Sequence, residues 1–236
     1  MNIRPLFVVV FLSILALVVF FVFPREPETL MVKVKTISEE STGEAVHAEY
    51  PFFPELPKEL NKKIENYVLE QINAFTLESE QNALARSEFG AEVFQSTLTL
   101  GWTPDRLTPK VISFVIRTEL YTGGAHGRQT IATFSFDGEK EEEITLEAVF
   151  PGTPNYLERI SQFALNDLKM SLLRASESEP NMDMLMTGTR PRKENFQYFT
   201  LGANNTITFY FPQYHVAPYV YGEQKVVMPI SFVLTD

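Results

Sequence analysis

The sequence predicts an α+β fold, antiparallel sheets with two main amphipathic helices packed on them, behind an N-terminal transmembrane helix. Three observations predict it. Apolar residues recur at helical spacing in two separate stretches, whereas the stretches around and between them alternate with a period of two. Strand-type segments follow one another through short turn sequences, which favours antiparallel pairing. Leu6 to Phe23 is an apolar run broken only by Ser13.

That run is long enough to cross a bilayer as a helix. A secretory signal would end in small residues, but Phe23, Pro24 and Arg25 stand there instead. The expectation is a five-residue tail (1–5), an uncleaved anchor (6–23) and a polar linker (24–29), with the remainder outside the cytoplasm. Cleavage of the segment would yield a secreted form. Arg25, Lys33 and Lys35 after the run work mildly against that orientation, but a large domain translocates largely regardless of its charge.

The elements follow in order. "LMVKVKTI" alternates, with Val32, Val34 and Thr36 assigned to one face, and "AVHAEYPFF" returns as the second strand of a hairpin. Leu56, Leu60, Ile64, Tyr67, Val68, Ile72 and Phe75 then mark one face of a helix, with Pro57 at its start. Residues 93–101 supply a strand beside a meander of strands at 109–121, 128–136 and 142–149. In the first of these, Ile112, Phe114, Ile116, Thr118 and Leu120 share a face, and Ser113, Arg117, Glu119 and Tyr121 take the other. Leu157, Ile160, Ala164, Leu168 and Leu172 form the stripe of a second helix, with Thr153 expected as N-cap and Pro154 as its first residue. "FQYFTL", "TITFYF" and "QKVVMPISFVL" read as closing strands, and Pro229 places the last at an edge. The division expected is an N-terminal subdomain of residues 30–100 and a C-terminal one of 101–236.

Composition excludes several functions. The net charge of −10 disfavours nucleic acid and anionic lipid headgroups as partners. It suits a cationic partner or a solvated acidic surface. Without cysteine the chain has no disulfide, no thiolate metal site and no lipoprotein anchor. No GxSxG, GxGxxG or GxxxxGK[ST] pattern occurs.

Two loops concentrate residue types that make sites. "YTGGAHG" (121–127) lies between two strands, and its glycines fit a tight connection that needs positive φ. "FPQYHVAPYVYGEQ" (211–224) gathers Tyr214, Tyr219 and Tyr221 around His215. Tyrosines present a flat apolar face with a polar tip, suited to sugars or a protein surface, and equally to the floor of a core. His47 reads as a surface or structural residue. His126 and His215 could act as bases or ligands, but no HExxH or paired HxH spacing accompanies them. No metal, cofactor or catalytic residue is assigned. The candidate ligand-binding residues are Tyr121, Gly123, Gly124, His126, Tyr214, His215 and Tyr219.

Together the loops resemble a family of extracytoplasmic domains of unknown function. That family forms the outer part of the lysozyme-sensing anti-sigma factor of sigma V and precedes the catalytic domain in some peptidoglycan N-acetylmuramic acid deacetylases. Tyr121, Gly123, Gly124, Ala125 and His126 match its first motif, and Pro212, Tyr214, Ala217, Pro218, Tyr219 and Gly222 match its second. The preceding hairpin and helix look like the companion N-terminal domain of the same proteins. The resemblance implies a non-catalytic binding or sensing module at the cell envelope, with a cell-wall glycan or a lysozyme-like protein as ligand. Only five residues precede the apolar run, so a sigma-sequestering role is not expected. The alternative is an envelope hydrolase or deacetylase-like enzyme using His126 or His215.

Overall fold

The structure, a computed structural model, describes residues 30–88, 94–176 and 179–234. The expected tail, membrane segment and linker lie outside them, and no described helix is long and apolar enough to cross a membrane.

The chain opens with a hairpin, β1 (Lys33–Glu40) and β2 (Glu44–Phe52), and enters the long helix α1 (Lys58–Glu88). It continues as β3 (Ser96–Leu107), β4 (Val111–Tyr121) and β5 (Arg128–Asp137). Then come the two-residue β6 (Glu142–Glu143) and the helices α2 (Leu146–Val149), α3 (Tyr156–Ala175) and α4 (Met182–Gly188). Strands β7 (Phe199–Leu201), β8 (Thr206–Phe211) and β9 (Gln224–Pro229) and a final turn of helix, α5 (Ser231–Leu234), complete it. Strands β1 to β6 form one sheet in sequence order, and β7 to β9 form another.

One pairing departs from the expected antiparallel pattern: β2 and β3 run parallel. Parallel neighbours need a crossover, and α1 supplies it. Its buried Leu60, Ile64, Val68 and Phe75 cover one face of the first sheet. There Phe114 stacks on Phe134 with centroids 5.0 Å apart. The expected boundary between residues 100 and 101 falls within β3, which pairs with β2 on one side and β4 on the other.

In the second core, Ile160, Ala164, Leu168 and Leu172 of α3 pack with Ile207, Phe209, Phe211, Val226 and Met228. The other face of that sheet meets the first sheet through a small apolar cluster of Val115, Ile131 and Tyr210, and its β7 edge meets it through hydroxyl groups. The Leu201 and Phe199 amides donate to Ser113 Oγ (2.7 Å) and Thr133 Oγ1 (3.1 Å), and Ser113 Oγ lies 2.7 Å from Ser135 Oγ. Short hydroxyl side chains let the two sheets come together while satisfying the backbone of β7.

Four local expectations are corrected. The strand at 142–149 is only β6, because Thr145 caps a helical turn by accepting from the Ala148 amide. Helix α3 starts at Tyr156 behind Asn155, two residues later than Thr153 and Pro154 suggested. The last strand stops at Pro229, at the sheet edge as expected, and α5 follows it. In β1 the inward phase belongs to Lys35 and Ile37. Lys35 reaches Glu65 of α1 at 2.9 Å, whereas Val34 is 54% exposed.

Candidate functional site

The β4–β5 connection, residues 122–127, and the β8–β9 connection, residues 212–223, meet at one edge of the molecule. In the first, Gly123 and Gly124 take φ of 118° and 100°, open to glycine alone at little cost. The Tyr121 hydroxyl donates to the Gly124 carbonyl at 3.1 Å, and His126 Nδ1 lies 3.0 Å from the Gly127 carbonyl. The loop is also tied to α1. The Thr122 hydroxyl and Arg128 Nη2 each donate to Glu78 at 2.7 Å, and Asn82 Nδ2 donates to the Thr122 carbonyl at 3.3 Å. These contacts, the Thr122 hydrogen bond foremost, hold the Glu78 carboxyl below its ordinary range.

The second loop is bent by its own backbone. Tyr214 sits at φ 67° and Gly222 at φ 65°, and the His215 amide donates to the Pro212 carbonyl at 3.0 Å. Its root is fixed by a bidentate ion pair: Arg117 of β4 donates to Glu223 through Nε (2.9 Å) and Nη2 (2.7 Å). The same guanidinium lies over the Tyr210 ring, 5.4 Å from its centroid. The Tyr210 hydroxyl donates to Asp105 at 2.6 Å; burial first, then this carboxylate, pushes its pKa strongly upward.

Where the loops touch, the His126 imidazole stacks on the Tyr219 ring, centroids 4.2 Å apart and planes 25° from parallel. Tyr214 lies beside Tyr219, 5.6 Å between centroids. A groove of about 340 Å³ opens next to this stack. Thr97, Thr99, Glu119, Arg128 and Gln129 line it from the first sheet, Tyr121 and Gly127 from the rim of the first loop, and Gln213 and Tyr219 from the second. Its lining mixes aromatic faces with hydroxyl, amide and carboxylate groups and the Arg128 guanidinium, which is paired with Glu78.

Of the sequence candidates, Tyr121 and Tyr219 border the groove, His126 backs Tyr219, Tyr214 flanks it, and Gly123 and Gly124 shape the loop. His215 stands elsewhere. Its Nε2 lies 3.2 Å from the Gly188 carbonyl and its ring 5.8 Å from Phe211, and burial pushes its pKa down. Among the described residues no carboxylate is hydrogen-bonded to either loop histidine, and no group of three His, Asp or Glu is placed to hold a metal ion. His47 is exposed, 3.7 Å from Glu49. Sequence reasoning missed Thr97, Thr99, Gln129, Gln213, Glu78 and Glu223. Alternation along β4 had already put Arg117, Glu119 and Tyr121 on one face, and that face is the groove side.

Fold and site define a class: an α+β protein of two sheets joined by hydroxyl groups and a small apolar cluster, notched at one edge by two interlocked loops. Comparison with known proteins gives the family context. Residues 37–129 match the family model described as deacetylase PdaC, and residues 147–231 match that of a protein of unknown function, DUF3298. The pairing agrees with the resemblance read from the motifs, and each matched region carries one of the two loops. The chain is 24% identical over 221 residues to the peptidoglycan-N-acetylmuramic acid deacetylase PdaC of Bacillus subtilis, covering 87% of this chain and 44% of that protein. It thus spans less than half the length of that relative. Two solved structures share the fold. A DUF3298 family protein from Pseudomonas aeruginosa PAO1 has a TM-score of 0.63 at 16% identity, over 88% of this chain and 94% of that one. A DUF3298 family member from Bacteroides fragilis NCTC 9343 has 0.57 at 19%, over 89% and 94%.

Proposed function

We propose that this chain is a non-catalytic binding module of the cell envelope, anchored by residues 6–23 with its folded part outside the cytoplasm, and that the groove takes a cell-wall glycan. One observation carries the reading: the groove is built jointly by the two motif loops, interlocked through the His126–Tyr219 stack. Aromatic faces suit the apolar faces of sugar rings, and the hydroxyl, amide and carboxylate groups suit their hydroxyls and acetamides. The peptidoglycan substrate in the Bacillus relative's name supports this ligand class. Hydrolase or deacetylase-like chemistry is less well supported, since among the described residues neither loop histidine has a carboxylate hydrogen-bonded to orient it.

A second reading, a wall-degrading enzyme such as lysozyme as ligand, draws support from the net charge of −10, which attracts a basic protein. The test is retention of the full chain, in detergent, on purified peptidoglycan and on immobilised lysozyme. Retention on peptidoglycan, lost in Tyr219→Ala, is expected. Retention on lysozyme alone, weakening with salt, moves the assignment to the second reading, and retention on neither rejects both.

A further inference from the structure

Strand β1 is an edge strand, where outward lysines would be ordinary protection against unwanted pairing. Here Lys35 turns toward α1 and pairs with Glu65, so the opposite face of β1 shows Val34, Thr36 and Ser38 to solvent. The register carries that face across the sheet: Ser38 opposes His47, His47 lies beside Thr99, Thr99 opposes Glu119, and Glu119 opposes Gln129. Residues directly paired across strands project from the same face. Ser38, His47, Thr99 and Glu119 are exposed, and Gln129 donates to Glu119 at 3.3 Å. The last three members of this row line the groove beside Tyr219.

We propose that the groove is one end of a longer track, and that a linear, neutral polysaccharide lies along the row Ser38, His47, Thr99, Glu119 and Gln129. The proposal rests on the glycan reading of the groove and extends it to a chain. Neighbouring strands are about 4.8 Å apart, so the row presents a hydrogen-bonding group at each such step over about 19 Å. One step is close to the length of one pyranose ring in an extended chain. Hydroxyl, imidazole, carboxylate and amide groups both donate to and accept from sugar hydroxyls and acetamides. The row contains no Lys or Arg, Glu119 stands within it, and Arg128 at the groove is already paired with Glu78, which together disfavour a polyanion. A peptide would use backbone groups at a sheet edge rather than side chains across a face.

The test is calorimetric titration of the full chain with N-acetylglucosamine oligomers of two to six units. Affinity is expected to rise at least tenfold from dimer to hexamer. The double variant Ser38→Ala, His47→Ala, outside the groove, is expected to bind the dimer as the parent does and to lose most of the gain. Ser38→Ala, His47→Gln should recover part of it. Dimer binding with no dependence on length, or a gain that survives the double variant, overturns the track and leaves the groove reading standing. Failure to bind any oligomer overturns both. Tighter binding of hyaluronan oligomers than of the neutral series overturns the assignment to a neutral chain.

Discussion

The imidazole of His126 lies against the ring of Tyr219, 4.2 Å between centroids, and joins loops more than ninety residues apart in the chain. Stacked rings of this kind contribute about 1 kcal/mol beyond the area they bury. His126→Ala is therefore expected to cost about 1 kcal/mol in urea unfolding and to weaken retention on peptidoglycan severalfold. His126→Phe keeps the stack and should retain both properties. A general base could not be replaced by phenylalanine, so a peptidoglycan-cleaving or deacetylating activity of the parent that His126→Phe loses, with stability and retention intact, would favour the enzymatic reading.

The Arg117–Glu223 pair should matter more for stability. The two side chains are only 29% and 13% exposed, and the contact is bidentate. Removing one partner strands the other charge in a poorly hydrated place. Glu223→Ala is expected to cost about 2 kcal/mol, since the pair is not wholly dry. Arg117→Ala loses its packing on Tyr210 as well. In a double-mutant cycle the two changes together should cost clearly less than their sum. Additive costs would mean the pair does not fix the root of the second loop.

Most of this architecture was legible because periodicity reports which face of an element is buried. The stripes read at Leu56–Phe75 and Leu157–Leu172 lie against their sheets, although Leu56 and Pro57 precede α1, which starts at Lys58, and Arg117, Glu119 and Tyr121 share the groove side of β4. The failures have local causes. Alternation in "EITLEAVF" looks like a strand, but the Thr145 cap turns it into a helix. Val34 is apolar yet faces outward, because Lys35 has a carboxylate on α1 and the strand can present only one phase. The parallel β2–β3 pair was invisible, since the direction of a return after a long helix is not encoded in spacing. Thr97, Thr99 and Gln129 joined the site only through register, which no single strand reveals.

His215 sets a pH dependence whose sign follows from its burial. Its folded pKa is lowered, first by burial, below the unfolded value of about 6.5. Below pH 6.5 the unfolded chain therefore binds protons that the folded chain resists, and stability falls as pH drops toward the folded pKa. The urea midpoint is expected to be flat from about pH 8 to 7 and to decline as pH falls below about 6.5. Because its folded pKa is depressed, Glu78 loses its contribution only at lower pH, as pH falls from about 4 through that folded value. His215→Gln should flatten the upper decline and leave the lower one. Persistence of the upper decline in that variant would assign it to another group.

Gly188 holds the second loop from behind. A Cβ at this position would lie 2.2 Å from the His215 carbonyl oxygen and 2.7 Å from Val216 Cγ1, and the first of these is backbone that cannot rotate aside. The end of α4 and residues 215–216 must therefore move apart in Gly188→Ala. Overpacking of this severity is expected to cost about 3 kcal/mol. Because Tyr214 and Tyr219 flank the displaced segment, retention on peptidoglycan should fall with stability. Gly43 has open space around the corresponding position, so Gly43→Ala should change stability by less than about 0.5 kcal/mol. Thermal melts and retention assays on the two variants separate a general intolerance of alanine for glycine from the specific contact between α4 and the loop. If Gly188→Ala retained both properties, the close approach of Gly188 to His215 would not be what positions the tyrosines.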